Sequence, residues 1–598
     1  MDNSRNLLLA FVLSGLLILG WDVGMNYFYP QPVVEAEEAS DIPGGTVAAA
    51  APGSTSAQPG QTGSSSDLDA RPSASGPVEL KDALSGDARV TIDAPRIAGS
   101  INLVGARVDD IVLKDHKEST DKESGPVQLF APERTPGQYF AEFGFLTNAK
   151  RSSSTALWAA DRDTLTPDSP VTLTRTDGDF VYAIKLSVDD DYMITAEQSV
   201  TNNAGDSAAV IQPFALINRT SVNATPDEFL SHAGPVGVFE EVLNDPNSYD
   251  ELAELGTWSP SGQPDWFGFS DRYWLGALVP ADGAEAATFR SLGDNLFRAD
   301  VLYPAQTLAA GATLSTQTQL YAGAKESVVL DAYEEAGIAQ FGKAISWGWF
   351  ELIEKPLLWL LRSLNGLIGN FGVAIIGMTF LIRGILFPIA QRQFASMAQM
   401  KAVQPKMKAI QERYKDDKQT QQQKIMELYK EEKVNPLAGC LPLLIQIPIF
   451  FALYKVLILS IEMRHEPFLY ITDLTAPDPA TFLNLFGLLD FQVAGTLMGI
   501  GVLAVLLGIT MWLTFKLNPS AMDPMQQQIF NLMPWFLMFV MAPFAAGLLI
   551  YWVTSNILTL AQQKYLYSQH PQLKAAAEKE KAEMAQKVER EKAEKGKA

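Results

Sequence analysis

Apolar and polar positions follow three rhythms along this chain. The first is a continuous block: Arg5 and Asn6 lead into an apolar run from Leu7 to Trp21, extended by Val23, Met25, Tyr27 and Phe28 with Asp22 as its one charge. No small-x-small cleavage site follows Gly20, and Trp21, Tyr27, Phe28 and Tyr29 cluster at the distal end. The pattern predicts a transmembrane anchor over residues 1–29 rather than a cleaved signal peptide. Residues 30–94 are rich in Gly, Ser, Pro, Ala and acids, as in Gly60-Gln61-Thr62-Gly63-Ser64-Ser65-Ser66. Such a stretch cannot bury enough apolar surface to offset its ordering entropy and reads as a disordered linker.

The second rhythm, over 95–343, has period two. Val181-Tyr182-Ala183-Ile184-Lys185-Leu186-Ser187-Val188 and Thr313 to Tyr321 lean toward strands, and Thr176-Asp177-Gly178-Asp179 toward a turn. Many short strands with turns between them predict an antiparallel β-sandwich. Residues 344–366 mix Trp347, Trp349, Phe350, Leu357, Leu358, Trp359 and Leu361 with Glu351, Glu354, Lys355 and Arg362. That mixture suits an amphipathic helix lying in a membrane interface; a packing helix of the sandwich is the alternative.

The third rhythm is long apolar runs. Leu367–Ala390, Ala438–Ile461 and Val493–Phe515 span 24, 24 and 23 residues, each enough at about 1.5 Å per residue to cross a hydrocarbon core about 30 Å thick. Ile529–Ala561 has 33 residues and would reach about 50 Å as one helix. Met541-Ala542-Pro543-Phe544-Ala545-Ala546-Gly547 offers a break, giving two spans within 529–563 of about 16 residues each, short for an ordinary bilayer. Between spans, 391–437 reads as two antiparallel helices, Gln391–Tyr414 and Gln419–Glu432. Met397, Met400, Val403, Met407 and Ile410 would face Ile425, Met426 and Leu428. The expected fold is therefore a polytopic α-helical membrane protein with six transmembrane helices, a large all-β sandwich and a helical hairpin.

Charge assigns the sides. Residues 30–340 hold 46 acidic and 19 basic residues, a net of −27, while the remainder has 22 acidic and 27 basic, a net of +5. Segment 391–437 is net +4 and the tail 564–598 net +3; loop 462–492 is acidic on balance, and 516–528 completes the connections. The positive-inside rule places the hairpin, the tail and both termini in the cytoplasm and the sandwich outside. The acidic balance argues against nucleic-acid binding by the sandwich. The one cysteine, Cys440, excludes a disulfide framework within one chain.

No enzyme constellation is evident. A Gly-rich phosphate loop and Cys/His metal spacings are absent, and His116, His232, His465 and His570 are scattered. Asp189-Asp190-Asp191 ends a strand pattern and reads as a solvated turn. No catalytic residue, cofactor or metal is expected. Arg383 is the strongest single residue, because an arginine at the centre of a membrane helix costs about 2.5–3.5 kcal/mol on insertion scales. It lies seven residues from Ala390, about 10 Å in, so snorkelling is a rival reading. Thr379, one turn earlier, and Gln446, Tyr551, Trp552, Ser555, Asn556 and Thr559 on other spans add polar groups. They could equally bond adjacent helices; taken with a permanent cation they describe a wet cavity open to the cytoplasm. The Lys/Glu-rich tail reads as an exposed helix, a disordered tail or a weak contact with ribosomal RNA.

Several stretches resemble the YidC/Oxa/Alb family of membrane protein insertases, in its Gram-negative form with a large periplasmic domain. They are Thr379–Phe387, Gln404-Pro405-Lys406, Tyr429-Lys430, Lys433 through Phe450, Asp523-Pro524-Met525-Gln526-Gln527 and Gly547 through Asn556. Trp266 to Leu275 and Leu320-Tyr321-Ala322-Gly323 are similar to the family's periplasmic domain. The resemblance implies an inner-membrane chaperone and insertase with a periplasmic β-supersandwich, a hydrophilic groove open to the cytoplasm and lipid, and a hairpin that recruits substrates. Its groove arginine, threonine and glutamine would be Arg383, Thr379 and Gln446, beside Ser555 and Asn556. Its tyrosine pair is Tyr551 and Trp552 here, so the second position departs. Recruitment would fall to the hairpin's Lys401, Lys406, Lys408, Arg413, Lys430 and Lys433. Implied partners are nascent membrane proteins, the Sec translocon, the ribosome and membrane lipids. A polar-solute transporter is the alternative, but no inverted repeat is evident.

Overall fold

The computed structural model describes residues 76–569 except 87, 122, 152–154, 223, 225–231, 246–247, 416, 433–440, 482, 487–488, 490–498 and 518–523. The predicted anchor, most of the linker and the tail beyond 569 lie outside the described residues. Two sheets, of 12 and 9 strands, pack face to face. In the first, Tyr139–Thr147 pairs antiparallel with Ala209–Thr220, setting Phe143 opposite Ala215. In the second, Met193–Asn202 pairs with Thr313–Ala324, setting Ala196 opposite Thr318. The period-two reading is visible in Phe180–Val188, where Tyr182, Ile184, Leu186 and Val188 enter the core and Lys185 faces water. Its turn is closed by Gly178 at φ +59°, a left-handed conformation that glycine adopts without strain.

The sandwich starts earlier than composition suggests. Helix α1 (Leu80–Ala83) and the strand Arg89–Asp93 fall inside the expected linker, and that strand pairs with Ile97–Asn102. Val90 and Ile92 are buried between polar Arg89, Thr91 and Asp93. An alternation this short is masked by its Gly- and Ser-rich surroundings. Two further helices, α2 (Tyr249–Leu255) and α3 (Ser327–Glu335), add Tyr249, Leu252, Val329 and Leu330 to the core.

One buried corner between the sheets is charged. Arg219 pairs with Asp271 and lies over the Tyr139 and Tyr249 rings at 4.7 and 5.6 Å. Beside them Lys325 Nζ donates to Ser270 Oγ at 3.0 Å. Burial pushes the Lys325 ammonium down to about 7 despite the attraction of Asp271.

The helical part comprises α4 (Glu351–Ile368), α5 (Phe371–Arg413), α6 (Lys418–Glu431), α7 (Leu441–Leu459), α8 (Val502–Leu517), α9 (Pro524–Met541) and α10 (Ala546–Gln569). Leu357, Leu358 and Leu361 of α4 are buried, while Leu352, Trp359 and Leu367 stay exposed. The expected boundaries shift in several places. Gly369, left-handed at φ +77°, ends α4, and the Asn370 side chain caps α5, so residues 367–369 do not belong to the expected span 367–390. No boundary separates that span from the hairpin's first arm, because α5 continues through both. Among the described residues one helical segment, Phe371–Arg392, is long and apolar enough to cross a membrane, and the apolar stretches of α7, α8 and α9 are shorter. The break at 542–545 is present, but α9 and α10 have 18 and 24 residues rather than about 16, since polar ends rich in glutamine continue both helices. In the hairpin, Val403, Met407 and Leu428 form a small core with Ile410, Ile425 and Tyr429. Met426 is exposed, contrary to the pairing expected, because it is two positions from Leu428 and so faces away from it. The side chains of Met397 and Met400 lie outside the described residues.

The loop after α7 meets the sandwich through Arg464. Its Nη1 and Nη2 donate to the carbonyls of Lys117 and Glu118 at 2.7 and 3.0 Å, and its guanidinium lies 5.3 Å from the Trp274 ring.

Two outcomes test this packing. Between about pH 7 and the unfolded lysine value of about 10.4 the unfolded chain holds a proton that native Lys325 releases, so stability rises with pH across that window. The rise should vanish in Lys325→Met; equal slopes in thermal melts of the two full-length proteins would contradict the assignment. At Gly276 an added Cβ would sit 2.0 Å from the Tyr139 hydroxyl. Gly276→Ala should therefore lower the urea midpoint, with a cost of about 1–3 kcal/mol for overpacking.

Candidate functional site

The site is built from α5, α7 and α10. Capping at Asn370 fixes where α5 begins: its Oδ1 accepts from the Val373 amide at 3.1 Å and its Nδ2 donates to the Pro467 carbonyl at 3.1 Å. Arg383 is then the thirteenth of the 22 residues in the apolar segment Phe371–Arg392. Phe380, Leu381 and Ile385 beside it are exposed apolar side chains.

Helix α10 approaches α5 through a stripe of residues four apart, Gly547, Tyr551, Ser555 and Thr559, which share one helix face. At Gly547 a Cβ would lie 3.1 Å from the Leu474 carbonyl and 3.3 Å from Ile375 Cδ1, so glycine permits the close approach. Two turns on, Ser555 meets Arg383. The Arg383 Nε donates to Ser555 Oγ at 2.9 Å and Nη2 donates to the same oxygen. One turn back, the Tyr551 hydroxyl accepts from Gln446 Nε2 of α7 at 2.8 Å. Tyr551 and Ser555 are buried, and Arg383 is half-buried. Among the described residues no ion pair involves Arg383, whose side-chain hydrogen bonds go to Ser555.

The structure thus brings Arg383, Gln446, Tyr551 and Ser555 together. Thr379 is fully buried, and its hydroxyl donates to the Ile375 carbonyl of its own helix at 2.7 Å rather than lining the site. Asn556 turns to α8, where its Nδ2 donates to Thr510 Oγ1 at 3.2 Å. Trp552 packs on Phe450 of α7, ring centroids 4.9 Å apart, which gives the departing position an apolar role. The described hairpin cations have separate surroundings. Lys406 pairs with Glu432 at 2.5 Å, Arg413 lies 5.8 Å from the Tyr414 ring, and Lys430 is exposed. The side chains of Lys401 and Lys408, and the whole of Lys433, lie outside the described residues.

Sequence reasoning missed two contacts. Thr510 carried no signal beyond being a polar residue in an apolar run. Lys455 interrupts α7, and its Nζ donates to the Trp347 carbonyl at 2.7 Å next to the buried Glu354. A lysine in α7 and a glutamate in α4 were visible as charges but not as neighbours. Among the described residues no group of His, Cys, Asp and Glu is placed to hold a metal ion.

The family model described as the YidC periplasmic domain matches residues 89–360, and the one described as 60Kd inner membrane protein matches 363–574. Membrane protein insertase YidC of Beijerinckia indica is 41% identical over 595 residues, covering 94% of this chain and 96% of its own. The protein of the same name from Zymomonas mobilis is 41% identical over 576 residues, covering 95% of each. A solved active YidC insertase with its first transmembrane domain resolved aligns over 82% of this chain and 94% of its own, at 16% identity and a TM-score of 0.35. With matches that run from the first strands of the sandwich to the last helix of the bundle, the chain belongs to the YidC family of membrane protein insertases.

Proposed function

We propose that this chain receives nascent membrane proteins in the site formed by Arg383, Gln446, Tyr551 and Ser555 and releases their apolar segments into the inner membrane, alone or beside the Sec translocon. The observation that carries the reading is Arg383 itself, a permanent cation among membrane helices whose bonded partner is a neutral hydroxyl. A carboxylate on the short flank of an incoming segment is drawn to that cation, while the apolar segment moves along Phe380, Leu381 and Ile385 into lipid. Burial of the substrate's own helix supplies the driving force. No bond is made or broken, so the activity is transfer between environments rather than catalysis of a reaction.

The topology that fits this reading has six spans: the predicted anchor, the apolar part of α5, and α7 to α10. Both termini and the hairpin are cytoplasmic, the sandwich is periplasmic, and α4 lies in the outer interface with Leu352, Trp359 and Leu367 toward lipid. The basic hairpin and tail are the surfaces offered to substrates and to ribosomes.

Reconstituted with single-span substrates that carry acidic translocated flanks, Arg383→Ala should insert about tenfold less, the scale of one charge-assisted contact. Arg383→Lys should retain more activity because a cation remains. Unchanged insertion by Arg383→Ala across such a panel would sink the charge-attraction reading. A chain lacking Arg89–Ala324 should keep most of its insertion activity in the same assay, whereas a function residing in the sandwich would be lost.

A further inference from the structure

The way Arg383 is held assigns a role to Ser555. A guanidinium has two edges that can each present a pair of parallel N–H groups, the side edge of Nε with Nη2 and the end edge of Nη1 with Nη2. Ser555 Oγ takes both donors of the side edge. That leaves both hydrogens of Nη1 and one of Nη2, and one hydrogen from each nitrogen makes the end edge that fits a carboxylate in a bidentate pair. Ser555 is almost fully buried on α10, one turn from Tyr551, which Gln446 of α7 bonds, so its oxygen sits on a packed helix rather than on a mobile side chain.

The partner's neutrality matters as much as its position. An aspartate or glutamate at this point would hold the guanidinium equally well and would cancel its charge. A hydroxyl orients the cation and leaves that charge uncompensated, and no acidic side chain among the described residues makes up the difference. An alanine would leave the charge but free the guanidinium to turn and snorkel toward water.

We infer that Ser555 is a positioning residue that sets substrate specificity: it occupies the side edge of Arg383 with a neutral acceptor and so keeps the end edge open for a carboxylate on the flank of the incoming segment. The inference rests on the groove reading given above. It predicts a pattern across substrates rather than a general loss. The test uses the full-length protein in proteoliposomes and two single-span substrates that differ only in a translocated flank of two aspartates or two asparagines.

Ser555→Asp should lower insertion of the Asp-flanked substrate to the level of Arg383→Ala, about tenfold below the parent, and should lower insertion of the Asn-flanked substrate by much less, so that the Asp-to-Asn insertion ratio falls. Ser555→Ala should give a smaller loss on the same substrate, and Ser555→Thr, which restores a hydroxyl, should recover it. Melting temperature and membrane level, measured for each variant, separate misfolding from loss of charge. Should Ser555→Asp prove unstable, the Ser555→Ala and Ser555→Thr pair carries the test alone. Equal losses on both substrates, or parental insertion of the Asp-flanked substrate by a folded Ser555→Asp, would overturn the assignment. If Arg383→Ala itself leaves Asp-flanked insertion intact, the groove reading fails; if Arg383→Ala fails to insert but Ser555→Asp succeeds, only the role of Ser555 does.

Discussion

A permanent cation held among apolar helices by a neutral partner is the constraint around which the bundle is arranged. Arginine stays charged under any physiological condition, and its removal from water is tolerated only where hydrogen bonds or water replace what it loses. Ser555 supplies two of those bonds, and it can do so only if α10 comes close to α5. That closeness is set by the small side of α10 at Gly547 and by the break at 542–545 that lets α10 start in a new direction. Gln446 then fixes Tyr551 from α7. The cation accounts for the inward place of Ser555, while Gln446 and Tyr551 satisfy each other one turn away.

The sandwich meets the bundle through a shared apolar core and through cations of the helical part that bond sandwich and linker oxygens. Arg464 gives its guanidinium to two main-chain carbonyls of the sandwich and rests on Trp274, a geometry that fixes direction without needing an acidic partner. Lys455 reaches the Trp347 carbonyl in the linking segment in the same manner. In both places a cation from the helical part is bonded by main-chain oxygen. Neither of these two contacts is a direct ion pair with the acidic sandwich, so both are less sensitive to salt than surface ion pairs would be.

Periodicity made the two-sheet architecture and the placement of α5, α7, α8, α9 and α10 legible, because each element repeats its signal over many residues. Arg383, Gln446, Tyr551 and Ser555 were legible for a different reason: polar residues in apolar runs are costly enough to stand out singly. What escaped were pairings across elements and the edges of elements. The strand Arg89–Asp93 has two core residues and too little length to register. Thr379 looked like a lining residue because it is one turn from Arg383, but a threonine in a helix can satisfy itself on the carbonyl four residues back, and it does. Trp552 illustrates the converse. Its place beside Tyr551 suggested a polar contact, yet consecutive residues on a helix point about 100° apart, and its ring reaches Phe450 instead.

Prolines add a reason for water to enter the same region. A proline inside a helix lacks the N–H that would bond the carbonyl four residues earlier, so Pro388 of α5 releases the carbonyl of Gly384, directly after Arg383. Pro448 of α7 releases the carbonyl of Leu444, two residues before Gln446, and Pro534 of α9 releases that of Phe530. In hydrocarbon an unbonded carbonyl costs several kcal/mol, and such breaks persist only where protein or water supplies a donor. Two of the three released carbonyls neighbour the residues that gather around Ser555. In the helices that carry the cation and the glutamine, the sequence itself thus frees a main-chain carbonyl within two residues of each.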